Sequence, residues 1–203
     1  MTKRLRVGVV GTGLIAQVMH LHYLDELAES YEVAAVCDIV AENARGCAER
    51  YRVPAVFTDW RELLHQPLDA VLVLTSGSHA PIAVAAAQAG MHVLVEKPMC
   101  FSVPEGQAMV EAARQAGVTL MVAYPKRYDP AYARFQKEAS ELAEPRLLRV
   151  TTFESPFRPY IEHYRLLPAV PPPADVADLL RADTEASIEI GRASCRERVS
   201  PYV

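Results

Sequence analysis

Short apolar runs with no polar alternation recur along the first 125 residues, and a helical segment separates each from the next. The runs are Arg6–Val10, Glu32–Cys37, Val56–Phe57, Ala70–Leu74, His92–Val95 and Val118–Ala123. A sheet with one wet face alternates apolar and polar residues. Continuous runs bury both faces, and helices between successive runs supply the crossovers of a parallel sheet. The intervening helical stretches are Leu14–Glu29, Ala41–Tyr51, Trp60–Leu64, Pro81–Ala89 and Ser102–Ala116. In the first of them Leu14, Val18, Leu21, Leu24 and Leu27 recur at helical spacing. Gly90 reads as a C-cap, and Ser102-Val103-Pro104-Glu105 has the spacing of a capping box. Six strands in this order predict an α/β chain with a doubly wound parallel sheet over residues 1–125.

Composition excludes several classes. The chain has 203 residues, 51% of them hydrophobic and 23% charged, which is too apolar for disorder. A formal charge of −4 gives no reason to expect a nucleic-acid or anionic-membrane partner. No apolar run approaches the roughly 20 residues of a membrane span. Met1–Arg6 is basic, but the apolar stretch after it stops at Gly11, so it is not read as a signal peptide and the chain is expected to be cytoplasmic. Cys37, Cys47, Cys100 and Cys195 form no CxxC pair and no ligand-like spacing with histidine, which argues against a zinc site or a disulfide framework.

The pattern changes beyond residue 125. Pro130–Ala143 reads as a helix and Leu147–Phe153 as a strand, six prolines fall between Ser155 and Pro173, and Ala174–Ile188 is weakly helical. Three parts follow: 1–125, a junction and incomplete second domain over 126–188, and a tail over 189–203.

Gly11-Thr12-Gly13-Leu14-Ile15-Ala16 lies directly after the first strand and opens the first helix. The first glycine permits a tight turn, the second lets a pyrophosphate approach the backbone, and the small Ala16 lets helix and strand pack closely. The helix N-terminus adds N–H donors and a positive dipole end. Dinucleotide binding in a Rossmann fold is the expectation, with Gly11, Thr12, Gly13, Leu14, Ile15 and Ala16 as contacts. Asp38 ends the second strand, where a carboxylate accepts bonds from ribose hydroxyls and repels a 2′-phosphate. NAD is therefore expected over NADP, with a helix-capping role for Asp38 as the alternative. The loop Thr75-Ser76-Gly77-Ser78-His79 follows the fourth strand and should border the cofactor through Thr75, Ser76 and His79. Local hydrogen bonding at a helix start is the competing reading of His79.

Glu96-Lys97-Pro98 follows the fifth strand. With the glycine motif, the acidic end of the second strand and Tyr124-Pro125-Lys126-Arg127-Tyr128-Asp129-Pro130-Ala131-Tyr132, it makes residues 4–154 resemble the glucose–fructose oxidoreductase / inositol dehydrogenase (Gfo/Idh/MocA) family. The resemblance implies that Glu96 contacts the nicotinamide ribose, that Lys97 lies beside substrate and nicotinamide as the catalytic group, and that Arg127 joins Lys97 in binding substrate. A lysine ammonium suits that place, because it can stabilise an alkoxide-like oxygen during hydride transfer. The Lys97–Pro98 bond, at a tight strand end, is a candidate for the cis isomer.

The resemblance further implies a second α+β domain that supplies an acidic residue and a histidine and underlies a homo-oligomer. Leu147–Phe153 would be its first strand, and the remainder is missing. His163 lacks the family's motif context and is read as a surface residue. Glu189–Val199 looks like the translation of a sequencing adapter and is expected to be non-native. The function expected is NAD(P)-dependent oxidoreduction of a sugar, cyclitol or related polyol, with the chain as written binding the dinucleotide without turnover. A non-catalytic dinucleotide sensor or scaffold is the alternative. A methyltransferase would leave Glu-Lys-Pro without a role.

Overall fold

A computed structural model of the chain describes residues 3–144, 147, 149, 151, 161–162 and 164–198, with side chains up to Gly191. Strands β1 (Leu5–Val10), β2 (Tyr31–Cys37), β3 (Ala55–Phe57), β4 (Ala70–Val73), β5 (His92–Val95) and β6 (Leu120–Val122) form one sheet. All pairs are parallel and the order is β3-β2-β1-β4-β5-β6. The chain works outward from β1 and then returns to lay β4 on the other side of it. That reversal leaves a crevice beyond the carboxyl ends of β1 and β4, the usual ligand place in such sheets.

Helices cover both faces. A π-helical turn (Ala16–His20) running into α1 (Leu21–Glu26), together with α2 (Ala41–Tyr51), covers one of them. There Ala16, Leu21, Cys47 and Ala48 pack on Val7, Val9, Val36, Leu72 and Leu74. The other face carries α3 (Trp60–Leu63), α4 (Ala80–Gln88) and α5 (Val103–Ala116). Its core joins Leu63, Ile82, Ala83, Ala86, Met109 and Ala112 to Val10, Val71, Val73, Val93 and Val95. Successive residues of β4 serve opposite cores, Val71 and Val73 one and Leu72 the other, as strand geometry requires. This explains the unbroken apolar runs. Burial pushes the Cys37 thiol up to about 12 and the Cys47 thiol up to about 11, so both behave as core residues rather than nucleophiles.

The capping box at Ser102 and Glu105 forms as the sequence predicts, and Gly117 closes α5 in the left-handed region at φ +66°. Other readings shift. The first helix ends at Glu26 and includes the π turn, and the last strand is confined to Leu120–Val122. The helix expected over Ala174–Ile188 runs on as α7 (Ala174–Arg198), without a break where the expected tail begins. Only one glycine and no proline interrupt that stretch, and the glycine itself, Gly191, lies against the Phe101 carbonyl.

The chain divides into two units, 1–122 with 166–203, and 123–165. Residues 166–191 thus go with the sheet rather than with the junction. Leu167 packs on the α1–α2 core and its N–H donates to Gln17 Oε1 at 2.9 Å, while Asn43 and the Val170 backbone exchange two bonds of 2.9 and 3.0 Å. The other unit holds a 3₁₀ turn (Pro125–Tyr128) and α6 (Pro130–Ser140), capped by Asp129, whose Oδ1 accepts from the Ala131 N–H at 2.7 Å. Most of the strand expected over Leu147–Phe153, and His163, lie outside the described residues.

Candidate functional site

The site begins where β1 runs out. The Gly11 N–H donates to the Cys37 carbonyl at 2.8 Å, tying the turn to the end of β2. Gly11 adopts φ +94°, and a Cβ there would sit 2.8 Å from the Leu74 carbonyl carbon and 2.9 Å from the Thr75 nitrogen. The turn therefore admits glycine alone. A Cβ on Gly13 would meet nothing within 4 Å, so the backbone just ahead of the helix faces open space. Ala16 is fully buried, while Leu14 and Ile15 are partly exposed. The first N–H groups of a helix have no partner within it, and here they open toward that space.

Thr12 links the loop to Asp38. Its N–H and hydroxyl both donate to Asp38 Oδ2, at 2.9 and 2.8 Å, and Asp38 Oδ1 accepts from the Val40 N–H at 3.0 Å. Of the two sequence readings of Asp38, the helix-capping one is corrected here. Val40, not Asp38, holds the N-cap position of α2, so the carboxylate closes a turn ahead of the helix rather than capping it. Its three bonds leave one acceptor position for a hydroxyl.

Beyond β4, the Thr75 hydroxyl oxygen is the one buried side-chain polar atom without a hydrogen-bond partner among the described residues. Ser76 is exposed. His79 sits lower, only 2% exposed, with Nδ1 3.0 Å from the Pro98 carbonyl and Nε2 2.9 Å from the Thr75 carbonyl. Both ring nitrogens face backbone, so His79 clamps the β4 and β5 loops together and presents no nitrogen to a dinucleotide in this arrangement. The local-bonding reading of this residue describes it better than the cofactor-contact one.

Ser78 donates to Glu105, whose carboxylate also accepts from the Phe101 and Ser102 N–H groups at 3.0 Å each. Burial pushes the Glu105 carboxyl up, but these bonds outweigh it and hold the group below the ordinary value. We expect Glu105→Ala to cost about 1–3 kcal/mol, as loss of a cap and of bonds to a charged group. Because the folded value is depressed, the contribution is complete above the unfolded value near 4.5 and fades as pH falls through the folded one. Urea midpoints at pH 7 and pH 4 check this: the gap between wild type and variant should narrow at the lower pH.

At the end of β5 the Glu96 N–H continues the ladder by donating to the Val73 carbonyl at 3.0 Å. Glu96 Oε2 accepts from the Lys97 N–H at 3.0 Å, and Oε1 lies 2.8 Å from His20 Nε2. The Lys97–Pro98 bond is cis. Lys97 is exposed, with no side-chain hydrogen bond or ion pair among the described residues. The structure thus brings Gly11–Ala16, Asp38, Thr75, Ser76, Glu96 and Lys97 to one edge of the sheet. Arg127 belongs to the other unit, exposed on its 3₁₀ turn. Sequence reasoning missed His20 and Gln17, whose side-chain Nε2 donates to the Thr12 carbonyl at 3.2 Å. The apolar periodicity of that helix passes over both. Among the described residues no cluster of His, Cys, Asp or Glu could hold a metal, and no helix is long and apolar enough to cross a membrane.

The chain is similar in sequence and fold to known proteins. Residues 5–124 match the GFO_IDH_MocA family, described as an oxidoreductase family with an NAD-binding Rossmann fold. An uncharacterized oxidoreductase, YrbE, of Bacillus subtilis is 31% identical over 81% of this chain and 49% of its own. Inositol 2-dehydrogenase of Salmonella typhimurium is 31% identical over 70% of this chain and 44% of its own. Among solved structures, the WlbA dehydrogenase from Bordetella pertussis, in complex with NADH and UDP-GlcNAcA, superposes with a TM-score of 0.63 at 30% identity, over 68% of this chain and 42% of that one. The chain spans a little under half the length of these curated relatives. A glycine turn that only glycine can make, an acid fixed beside it and a Glu-Lys-Pro strand end occur here within one sheet of the expected order, and with the match over residues 5–124 they place the chain in the GFO_IDH_MocA oxidoreductase family.

Proposed function

We propose that the sheet-bearing unit binds NAD(H) and forms the cofactor half of a dehydrogenase acting on a hydroxyl-rich substrate, a polyol, cyclitol or sugar. One observation carries this reading: Gly13 is open in front, and immediately beside it Asp38 is fixed on Thr12. A pyrophosphate suits the first helical N–H groups, and a ribose diol suits the remaining acceptor position of Asp38. At the other end the buried, unpartnered Thr75 hydroxyl lacks only a polar group to bond. These residues fit a dinucleotide laid from the end of β2 to the ends of β4 and β5. The relatives' names, an inositol dehydrogenase and a dehydrogenase solved with a nucleotide sugar, support the hydroxyl-rich substrate class.

When bound, the nicotinamide supplies the hydride donor or acceptor. The chain's own residues do the rest. Lys97, at the rim, donates a hydrogen bond to the substrate oxygen and holds a proton there as negative charge develops. Glu96, with both oxygens anchored, orients the second ribose. Asp38 repels a 2′-phosphate, so NADH is expected to bind at least about tenfold more tightly than NADPH, a difference near 1.4 kcal/mol. Calorimetric titration of both into the chain tests the reading. Absence of heat from both would overturn it, and NADPH binding as tightly as NADH would overturn the preference.

A further inference from the structure

We infer that His20 is a positioning residue for the nicotinamide half of the cofactor, acting through Glu96. The inference rests on the dinucleotide reading above. It starts from the irregular helix. Leu21 donates its N–H to the Ala16 carbonyl, an i→i−5 bond, and Ala16 and Leu21 are both buried in the α1–α2 core. In a regular α-helix the residue stacked on Ala16 would be the fourth one on, His20, and an imidazole would enter an apolar cluster. The extra residue in the π turn puts Leu21 there instead and leaves His20 beside Glu96, with Nε2 2.8 Å from Oε1. Such turns recur at functional sites.

Both side chains are largely withdrawn from water, at 15% and 12% exposure, so the contact is held rather than a passing surface pair. Its span gives it meaning. His20 is on the helix that follows the glycine loop, and Glu96 ends β5, with β4 between β1 and β5. With the adenosine end fixed at Asp38 beyond β2, the opposite end of a dinucleotide lies over β4 and β5. Glu96 Oε1 is held by His20 and Oε2 by the Lys97 N–H, which leaves each oxygen one acceptor position for the second ribose. Without His20, Oε1 loses its anchor and the carboxylate can turn away from that ribose.

Titrating ADP, ADP-ribose and NADH into wild type, His20→Ala and His20→Gln tests this, because ADP lacks the second ribose. His20→Ala should leave the ADP affinity within about twofold and weaken ADP-ribose and NADH about tenfold, and His20→Gln, which keeps a donor at similar reach, should restore most of the loss. In Glu96→Ala the His20→Ala change should add nothing further, since the pair acts as a unit. An equal loss on ADP and ADP-ribose would make His20 merely structural support for the glycine-loop helix and overturn the inference. So would unchanged affinity for all three probes, or a glutamine variant no better than alanine. If ADP does not bind wild type, the dinucleotide reading falls and the inference with it. If ADP binds and only the selective loss is missing, the inference falls alone.

Discussion

In a version of the protein that carries a complete second domain, Lys97→Met is expected to lower kcat by at least about 10²-fold, the low end for a general acid–base group, and to leave the NADH affinity within about twofold. The expectation follows from what is fixed and what is free at the end of β5. The backbone is held, since the Lys97 N–H donates to Glu96 Oε2 and Glu96 is in turn bonded to Val73 and His20. The ammonium is exposed, with its three donors available to a substrate oxygen. Methionine keeps an unbranched stem and removes only the charge and the donors, so the strand end should persist. Turnover of that two-domain version is read by NADH absorbance on whichever member of a polyol panel reacts. A raised KM with unchanged kcat would mean that Lys97 binds ground and transition states equally, and would remove it from the chemistry.

How far the sequence reveals this site depends on the range of the interaction concerned. The sheet and its order are legible because strands buried on both faces read as continuous apolar runs, and the returns between them carry local signals such as Ser102 with Glu105. Gly11 and Asp38 are legible because each sits at a strand end, where sheets of this order place a ligand, whereas the role expected of Lys97 comes from the family resemblance of Glu96-Lys97-Pro98. His20 is not legible. A 3.6-residue template marks Val18 and Leu21 and passes over the residue that the π turn displaces. The clamp at His79 escapes as well, since it depends on the Pro98 carbonyl, 19 positions away. So do the bonds of Gln17 to Leu167 and of Asn43 to Val170, which join segments more than 120 residues apart and leave no periodic trace.

The same distinction decides the second large effect, a reversal of cofactor preference. Asp38→Ser combined with Ile39→Arg should swing the ratio of NADH to NADPH affinities by about 10²-fold toward NADPH, a change near 2.7 kcal/mol. Two contributions add. Serine removes the carboxylate that repels a 2′-phosphate, and arginine supplies a forked cation for it, where a hydrogen bond to a charged group is worth about 1.5–3 kcal/mol. Ile39 is 51% exposed, so an arginine there displaces no core residue. Asp38 is less expendable, because its Oδ2 holds both the N–H and the hydroxyl of Thr12, a residue wholly enclosed beneath the loop. Serine has one oxygen and a shorter reach, so the double variant should also lose about 1–3 kcal/mol of stability, visible in its thermal midpoint. Asp38→Asn separates the two effects: it keeps an acceptor near Thr12 while removing the charge, and should relax the preference without reversing it. Titrations belong at low ionic strength, since screening weakens both the repulsion and the new attraction. A wild-type chain that already favours NADPH, or a ratio unmoved in both variants, would mean that the carboxylate serves only Thr12 and Val40, and the ribose role of Asp38 would be withdrawn.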